Sequence, residues 1–283
     1  MIVTNLAYGL ENRLLAKLDV MIKNCEQKAP KRDAQLIIEG KEGEGKTSSA
    51  CACAYYIKSK TNREIHMFFN LEPLIKFAQN NENKIIIWDE PALDALGTDW
   101  YNRIVKDMMR LLMAVRKKRH FFIFNFTKFY KFSEYIVVDR SSGLIHMYSR
   151  NGVLPGRFIY IRQKKLESLW LSYRVSHKRS YKKFKAFYGS FPEVLEKHFS
   201  KMGITLNGIK NATLEDYEKE KDKAIANIGN EKNKTNNNPH YKSLIDLRRK
   251  IGNLKMPIKT KAELASKLDY HDRNIRNWAK LPE

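Results

Sequence analysis

From Gln35 onward the chain alternates short apolar runs with longer stretches whose apolar residues recur every three or four positions. The runs "QLIIEG" (35–40), "REIHMFFN" (63–70), "KIIIWDE" (84–90) and "HFFIFNFT" (120–127) predict strands. Between them, "KTSSACACAYYIKSK" (46–60), "LEPLIKFAQNN" (71–81) and "DWYNRIVKDMMRLLMAVRKK" (99–118) predict helices. Apolar strands separated by helices predict an α/β fold, a parallel sheet covered on both faces. After Tyr135 the pattern shortens. "YIVVDR", "LIHMYSR", "RFIYIRQKK" and "LWLSYRVS" read as further short strands, and the polar segments "SSG" and "NGVLPG" read as turns. A basic, aromatic, helix-like tract follows, "HKRSYKKFKAFYGSFPEVLEKHF".

The expected organisation is an N-terminal helix and link (1–34), a core with a β extension and basic tract (35–200), a linker (201–240) and a small helical domain (241–283). The linker reading rests on the Asn-rich "GNEKNKTNNNPHYK". At 283 residues there is room for one sizeable domain and a small second one. The formal charge of +22 points to a polyanionic partner, most often nucleic acid. Three cysteines, Cys25, Cys51 and Cys53, make neither a disulfide framework nor a zinc pattern and fit a reducing cytoplasm. No apolar run is long enough to span a bilayer, so direct membrane insertion is not expected.

"GKEGEGKT", Gly40 to Thr47, fits the pattern G-x-x-x-x-G-K-[ST] in full. It stands between a strand and a helix rich in small residues, where a phosphate-binding loop belongs. Gly40, Gly43, Glu44 and Gly45 form the loop, and Lys46, Thr47 and Ser48 open the helix. Glycines let successive backbone N–H groups curl toward phosphate oxygens, and the helix N-terminus adds partial positive charge. Lys46 is expected to reach the β- and γ-phosphates of ATP, and the Thr47 hydroxyl to ligate Mg²⁺. "KIIIWDE" closes a strand with Asp89, a second expected Mg²⁺ group, and Glu90, the expected general base. Asn125 interrupts the apolar strand "HFFIFNFT", which Thr127 ends. A polar side chain there needs a reason, and either residue suits a sensor beside the γ-phosphate.

On these residues, segment 35–140 resembles the additional-strand catalytic-glutamate class of P-loop ATPases. The resemblance implies a RecA-like core. The layout of acid pair, long helix ending in "RKKR", polar-ended strand and later strands is most similar to the HerA/FtsK superfamily. That group contains plasmid, conjugation and phage packaging ATPases and Zot-like proteins. Its polar strand position is usually Gln, where this chain has Asn125 or Thr127. The resemblance implies ATP hydrolysis coupled to DNA movement in a homo-oligomeric ring, one subunit's Arg completing its neighbour's site. Arg140 and Arg119 are the expected arginines, with Arg116 also a candidate and Arg103 and Arg110 behind them. An AAA+-like replication initiator or helicase loader shares the acid pair, and helices in 135–175 would favour it over the translocase. A nucleotide-gated DNA-binding regulator is the third reading.

Two regions are expected to touch DNA. In 174–187, Arg174, Lys178, Arg179, Lys182, Lys183 and Lys185 alternate with Tyr173, Tyr181, Phe184 and Phe187. In 260–280, Thr260 and Glu263 form a capping box, "DYHD" is a turn, and Ile275 and Trp278 face inward. This stretch resembles a helix-turn-helix, which would present Asp272, Arg273, Asn274, Arg276 and Asn277 to DNA.

Overall fold

The apolar runs become the strands of one sheet, because strands covered on both faces have no side left for water. The computed structural model describes residues 10–27, 29–89, 98–150, 154–176, 180–191 and 199–236. The chain divides into a unit of residues 1–224 and a second of 225–283. In order, the first unit contains α1 (Asn12–Glu26), β1 (Ala34–Glu39), α2 (Lys46–Thr61), β2 (Ile65–Phe68), α3 (Leu71–Asn80), β3 (Ile85–Asp89), α4 (Thr98–Ala114) and β4 (Phe121–Phe126). There follow β5 (Gly143–Arg150), β6 (Leu154–Arg162), α5 (Gln163–Ser176), the one-turn α6 (Tyr181–Phe184), β7 (Phe187–Ser190) and β8 (Ile204–Leu206). Last comes α7 (Leu214–Asn236), whose final residues belong to the second unit. The expected helix-turn-helix of 260–280 lies outside the described residues.

The sheet has eight strands in the order β7-β6-β5-β1-β4-β3-β2-β8. From β5 to β8 neighbouring strands are parallel, while β6 and β7 are each antiparallel to the strand before them. β4 stands between β1 and β3, so an additional strand separates the loop strand from the acid strand. This is the RecA-like P-loop arrangement, with β6 and β7 as the extra strands after the core.

Alternation along each strand feeds two cores. Leu36, Ile38, Ile85, Ile87, Phe121 and Ile123 pack with α1, α2 and α7 on one face. Ile37, Ile86, Trp88, Phe122, Phe124 and Phe126 pack with α3, α4 and α5 on the other. The small residues Ala50, Cys51, Cys53 and Ala54 are fully buried and let α2 sit close to the strands beneath it.

Four sequence expectations are corrected here. "YIVVDR" is not a strand but a π-helical turn, Tyr135–Asp139. Its Ile136, Val137 and Val138 are all buried in the core shared with α4 and α5, and that packing outweighs β-branched propensity. "LWLSYRVS" is the later part of helix α5. Buried Leu166, Leu169 and Trp170 keep helical spacing, which is visible only when the preceding turn is included. The basic tract is not one helix but α6 followed by strand β7. The linker reading fails from 204 to 236, where β8 pairs with β2 and α7 follows. All three cysteines are buried and free. Among the described residues no helix is long and apolar enough to cross a membrane.

Candidate functional site

Parallel strands carry the ends of β1, β3 and β4 to one edge of the sheet, and the expected phosphate loop is there. Gly45 precedes α2 with φ +84°, a conformation that favours glycine. At Gly40 a Cβ would stand 2.8 Å from the Met147 carbonyl oxygen and 2.8 Å from Glu44 Oε2. No side chain fits, so β5 presses directly on the loop. Glu44 braces it from within. Its carboxylate accepts the Lys41 N–H at 2.8 Å, and its carbonyl accepts the Gly156 N–H from β6 at 3.2 Å.

Lys46 Nζ donates to the carbonyls of Gly40 at 2.9 Å and Lys41 at 2.8 Å. The ammonium therefore lies over the loop, held by neutral acceptors that a phosphate would replace. Burial lowers its pKa, and the charges of Asp89, Glu44, Glu39 and Glu42 oppose that shift. Thr47 Oγ1 donates to Asp89 Oδ2 at 2.9 Å. Asp89 is opposite Asn125 in the β3–β4 register, and Asn125 Nδ2 donates to Asp89 Oδ1 at 2.9 Å. The Asn125 amide oxygen is buried with no hydrogen-bond partner. Ser48 and Thr127 are half-buried beside these groups in sequence. Gly43 tops the exposed part of the loop. Glu90 lies outside the described residues.

The donor set suits Mg²⁺. One hydroxyl and one carboxylate stand in contact, and Mg²⁺ takes its remaining ligands from water and phosphate oxygens. Thr47 and Asp89 are the residues that would hold it.

Two groups of residues here escape sequence reasoning. Tyr217 of α7 donates its hydroxyl to Asp89 Oδ2 at 2.8 Å and lies 3.4 Å from Thr47 Oγ1. Glu39, the last residue of β1, is only 3% exposed. Its carboxylate accepts Tyr181 Oη at 2.6 and 3.0 Å and lies 2.9 Å from His146 Nδ1. The His146 and Tyr181 rings stack at 3.6 Å. Burial, with the Glu39 charge, pushes the Tyr181 phenol far above its ordinary pKa. An acid closing the apolar run of Leu36, Ile37 and Ile38 is the sequence signal for Glu39.

The two expected arginines are not at this edge. Arg140 pairs with Asp33, just before β1, and donates to the Leu112 carbonyl at 3.2 Å. With its side chain 12% exposed, it is committed within its own chain. Arg119, two residues before β4, donates to the Gln27 carbonyl at 3.0 Å. Both belong to the opposite edge of the sheet, away from the loop of their own chain. A cleft of about 560 Å³ also lies at that far edge, lined by Arg63, Glu64, Lys84 and Arg119 among others. Its lining is polar and mixes both charges.

The basic tract is partly recast. Lys182, Lys183 and Lys185 are exposed. Tyr181 and Phe187 are buried core residues, and Tyr173 stacks on Tyr130 at 3.8 Å. Those three aromatics pack the fold, Tyr173 only in part. Tyr188 is the exposed aromatic, with Lys185 Nζ 4.6 Å from its ring centroid. Lys178 and Arg179 lie outside the described residues.

No protein-family profile matches the chain, and no curated protein matches it. Among solved structures it is similar to a KaiC-like protein from Pyrococcus horikoshii, at 12% identity and a TM-score of 0.36 over 47% of this chain and 79% of that one. It is also similar to the flagellar accessory protein FlaH from Methanocaldococcus jannaschii, at 14% identity and a TM-score of 0.27 over 51% of this chain and 82% of that one.

Proposed function

We propose that this chain is a Mg²⁺-dependent ATPase that moves or packages the DNA of a phage or mobile element as an oligomeric ring. The observation that carries the ATPase reading is the contact of Thr47 with Asp89 beside a glycine loop closed by Lys46. Loop N–H groups and Lys46 bind and orient the β- and γ-phosphates. Thr47 and Asp89 would hold Mg²⁺, which would supply neutralising charge to the β- and γ-phosphates. Glu90, next to Asp89 in sequence, takes a proton from the attacking water. Asn125 holds Asp89 in place through Nδ2 and leaves its buried oxygen to orient a donor such as that water.

The DNA reading is supported by the charge of +22 and by exposed Lys182, Lys183 and Lys185, together with the segment 260–280. The elements after the core divide between the two readings, and the translocase reading rests on the strands, the loader on the helices. Residues 135–175 hold a helical turn, two strands and helix α5, and β6 extends the same sheet where a loader would carry a helical lid.

The test is ATP turnover without DNA, with single strands and with duplex, alongside Glu90→Gln. Strong stimulation by duplex, lost in Glu90→Gln, is the expected result. Turnover indifferent to DNA would remove the motor reading, and binding without turnover would leave a nucleotide-gated regulator.

A further inference from the structure

Asp89 accepts three hydrogen bonds. Two come from residues that the sheet and loop bring to it, Asn125 and Thr47. The third comes from Tyr217, 128 residues along the chain on a helix with no part in the phosphate loop. Tyr217 is 2% exposed, and its ring packs against Phe69 at 5.4 Å and Phe199 at 5.7 Å. The position is therefore held by apolar packing independent of Asp89. The phenol hydroxyl is the donor to Asp89 Oδ2, at 2.8 Å.

A carboxylate oxygen offers two acceptor directions. On Oδ2, Thr47 takes one and Tyr217 takes the other. Thr47 can ligate Mg²⁺ through its oxygen lone pair and still donate its proton to Asp89. Tyr217 cannot share its place. Mg²⁺ in such sites keeps several waters. Asp89 Oδ1 keeps one direction beside Asn125, but Thr47, the other metal ligand, contacts Oδ2, and a water on that side needs the acceptor that the phenol holds.

Resting on the nucleotide reading above, we propose that Tyr217 gates the metal site. Its hydroxyl competes with a metal-bound water for Asp89 Oδ2, so loading Mg²⁺ with nucleotide requires the phenol to leave Asp89 and moves the first turns of α7. Helix α7 then responds to the metal rather than to nucleotide alone.

Tyr217→Phe removes the hydroxyl and keeps the ring. A fluorescent ATP analogue is titrated against the full-length wild type and the variant, first in EDTA and then with increasing Mg²⁺. The gate predicts equal affinity in EDTA and a half-saturating Mg²⁺ concentration about tenfold lower in Tyr217→Phe, the scale of one hydrogen bond to a charged acceptor. An unchanged or higher Mg²⁺ requirement would overturn the gate, a higher one making Tyr217 a support for the metal. No analogue binding by the wild type under any condition would overturn the nucleotide reading itself. If the variant does not fold, hydrogen exchange of wild-type residues 214–224 decides. Faster exchange on adding Mg²⁺ to the nucleotide-bound protein supports the gate, and unchanged or slower exchange overturns it.

Discussion

The two edges of the sheet each carry buried polar groups, but they terminate differently. At the edge before the strands, side chains donate to backbone carbonyls. Arg63 Nη1 donates to the Arg119 carbonyl at 2.6 Å, and Gln35 Nε2 to the Ile136 carbonyl at 2.7 Å. Arg140 reaches the Leu112 carbonyl, and the His120 ring meets the Ala78 carbonyl. These donors are largely buried and paired within the fold, so this edge is fixed. At the edge after the strands, Asp89 is held by the side chains of Thr47, Asn125 and Tyr217, and Lys46 lies over its own loop. Hydroxyls and an ammonium can reorient toward a ligand. The contrast separates polar groups that hold the fold from polar groups that can exchange partners.

The contrast breaks if mutations at the two edges act alike. Lys46→Ala is expected to lower ATP turnover by about 10²–10³-fold, the range for removing a donor to developing charge. Its urea midpoint should stay close to wild type, because its partners are carbonyls at a half-exposed loop. A stability loss as large as that at Arg140 would end the distinction. Arg140→Ala is the reverse case. Breaking the buried pair with Asp33 should cost about 3–5 kcal/mol in denaturant unfolding, while the folded fraction binds nucleotide with wild-type affinity.

Smaller changes sharpen the boundary between the edges. Tyr181→Phe leaves buried Glu39 with the His146 contact but without its phenol donor, and should cost about 1–3 kcal/mol. Measured against Lys46→Ala, it tests whether a network touching the loop can be structural. A final test uses pH. Lys84 N–H donates to His120 Nδ1 at 3.3 Å, and Nε2 lies 2.9 Å from the Ala78 carbonyl, so the neutral ring fits and a second proton does not. Burial lowers the His120 pKa from 6.5. The unfolded chain thus takes up this proton at higher pH than the folded chain. Its contribution is full above about 6.5 and is lost as pH falls below that, by at most about 1.4 kcal/mol per pH unit. A histidine NMR titration placing His120 below 6.5, with a falling urea midpoint, is the expected pair of results.

Much of the loop edge was legible because its chemistry is contiguous in sequence. A glycine loop, Lys46 and Thr47 must follow one strand, and Asp89 must end another. The additional strand followed from the run around Asn125. Tyr217 and the Glu39 cluster were not legible, since their partners are 128 and 142 residues away. Helix α7 was hidden for a related reason. In its first part the buried positions are Tyr217 and Ala224, a stripe too thin to show a period in a polar sequence. The strand expected at 135–140 is a helical turn because Ile136, Val137 and Val138, despite strand propensity, fill the core beneath α4 and α5.

The most direct test is a hydrogen-exchange footprint of the full chain with and without Mg²⁺ and a non-hydrolysable ATP analogue. The account predicts protection in 40–49 and around Asp89 and Asn125, with no change at 61–64, 82–84 and 116–120. Protection centred on the far-edge cleft, with the glycine loop unaffected, would contradict it.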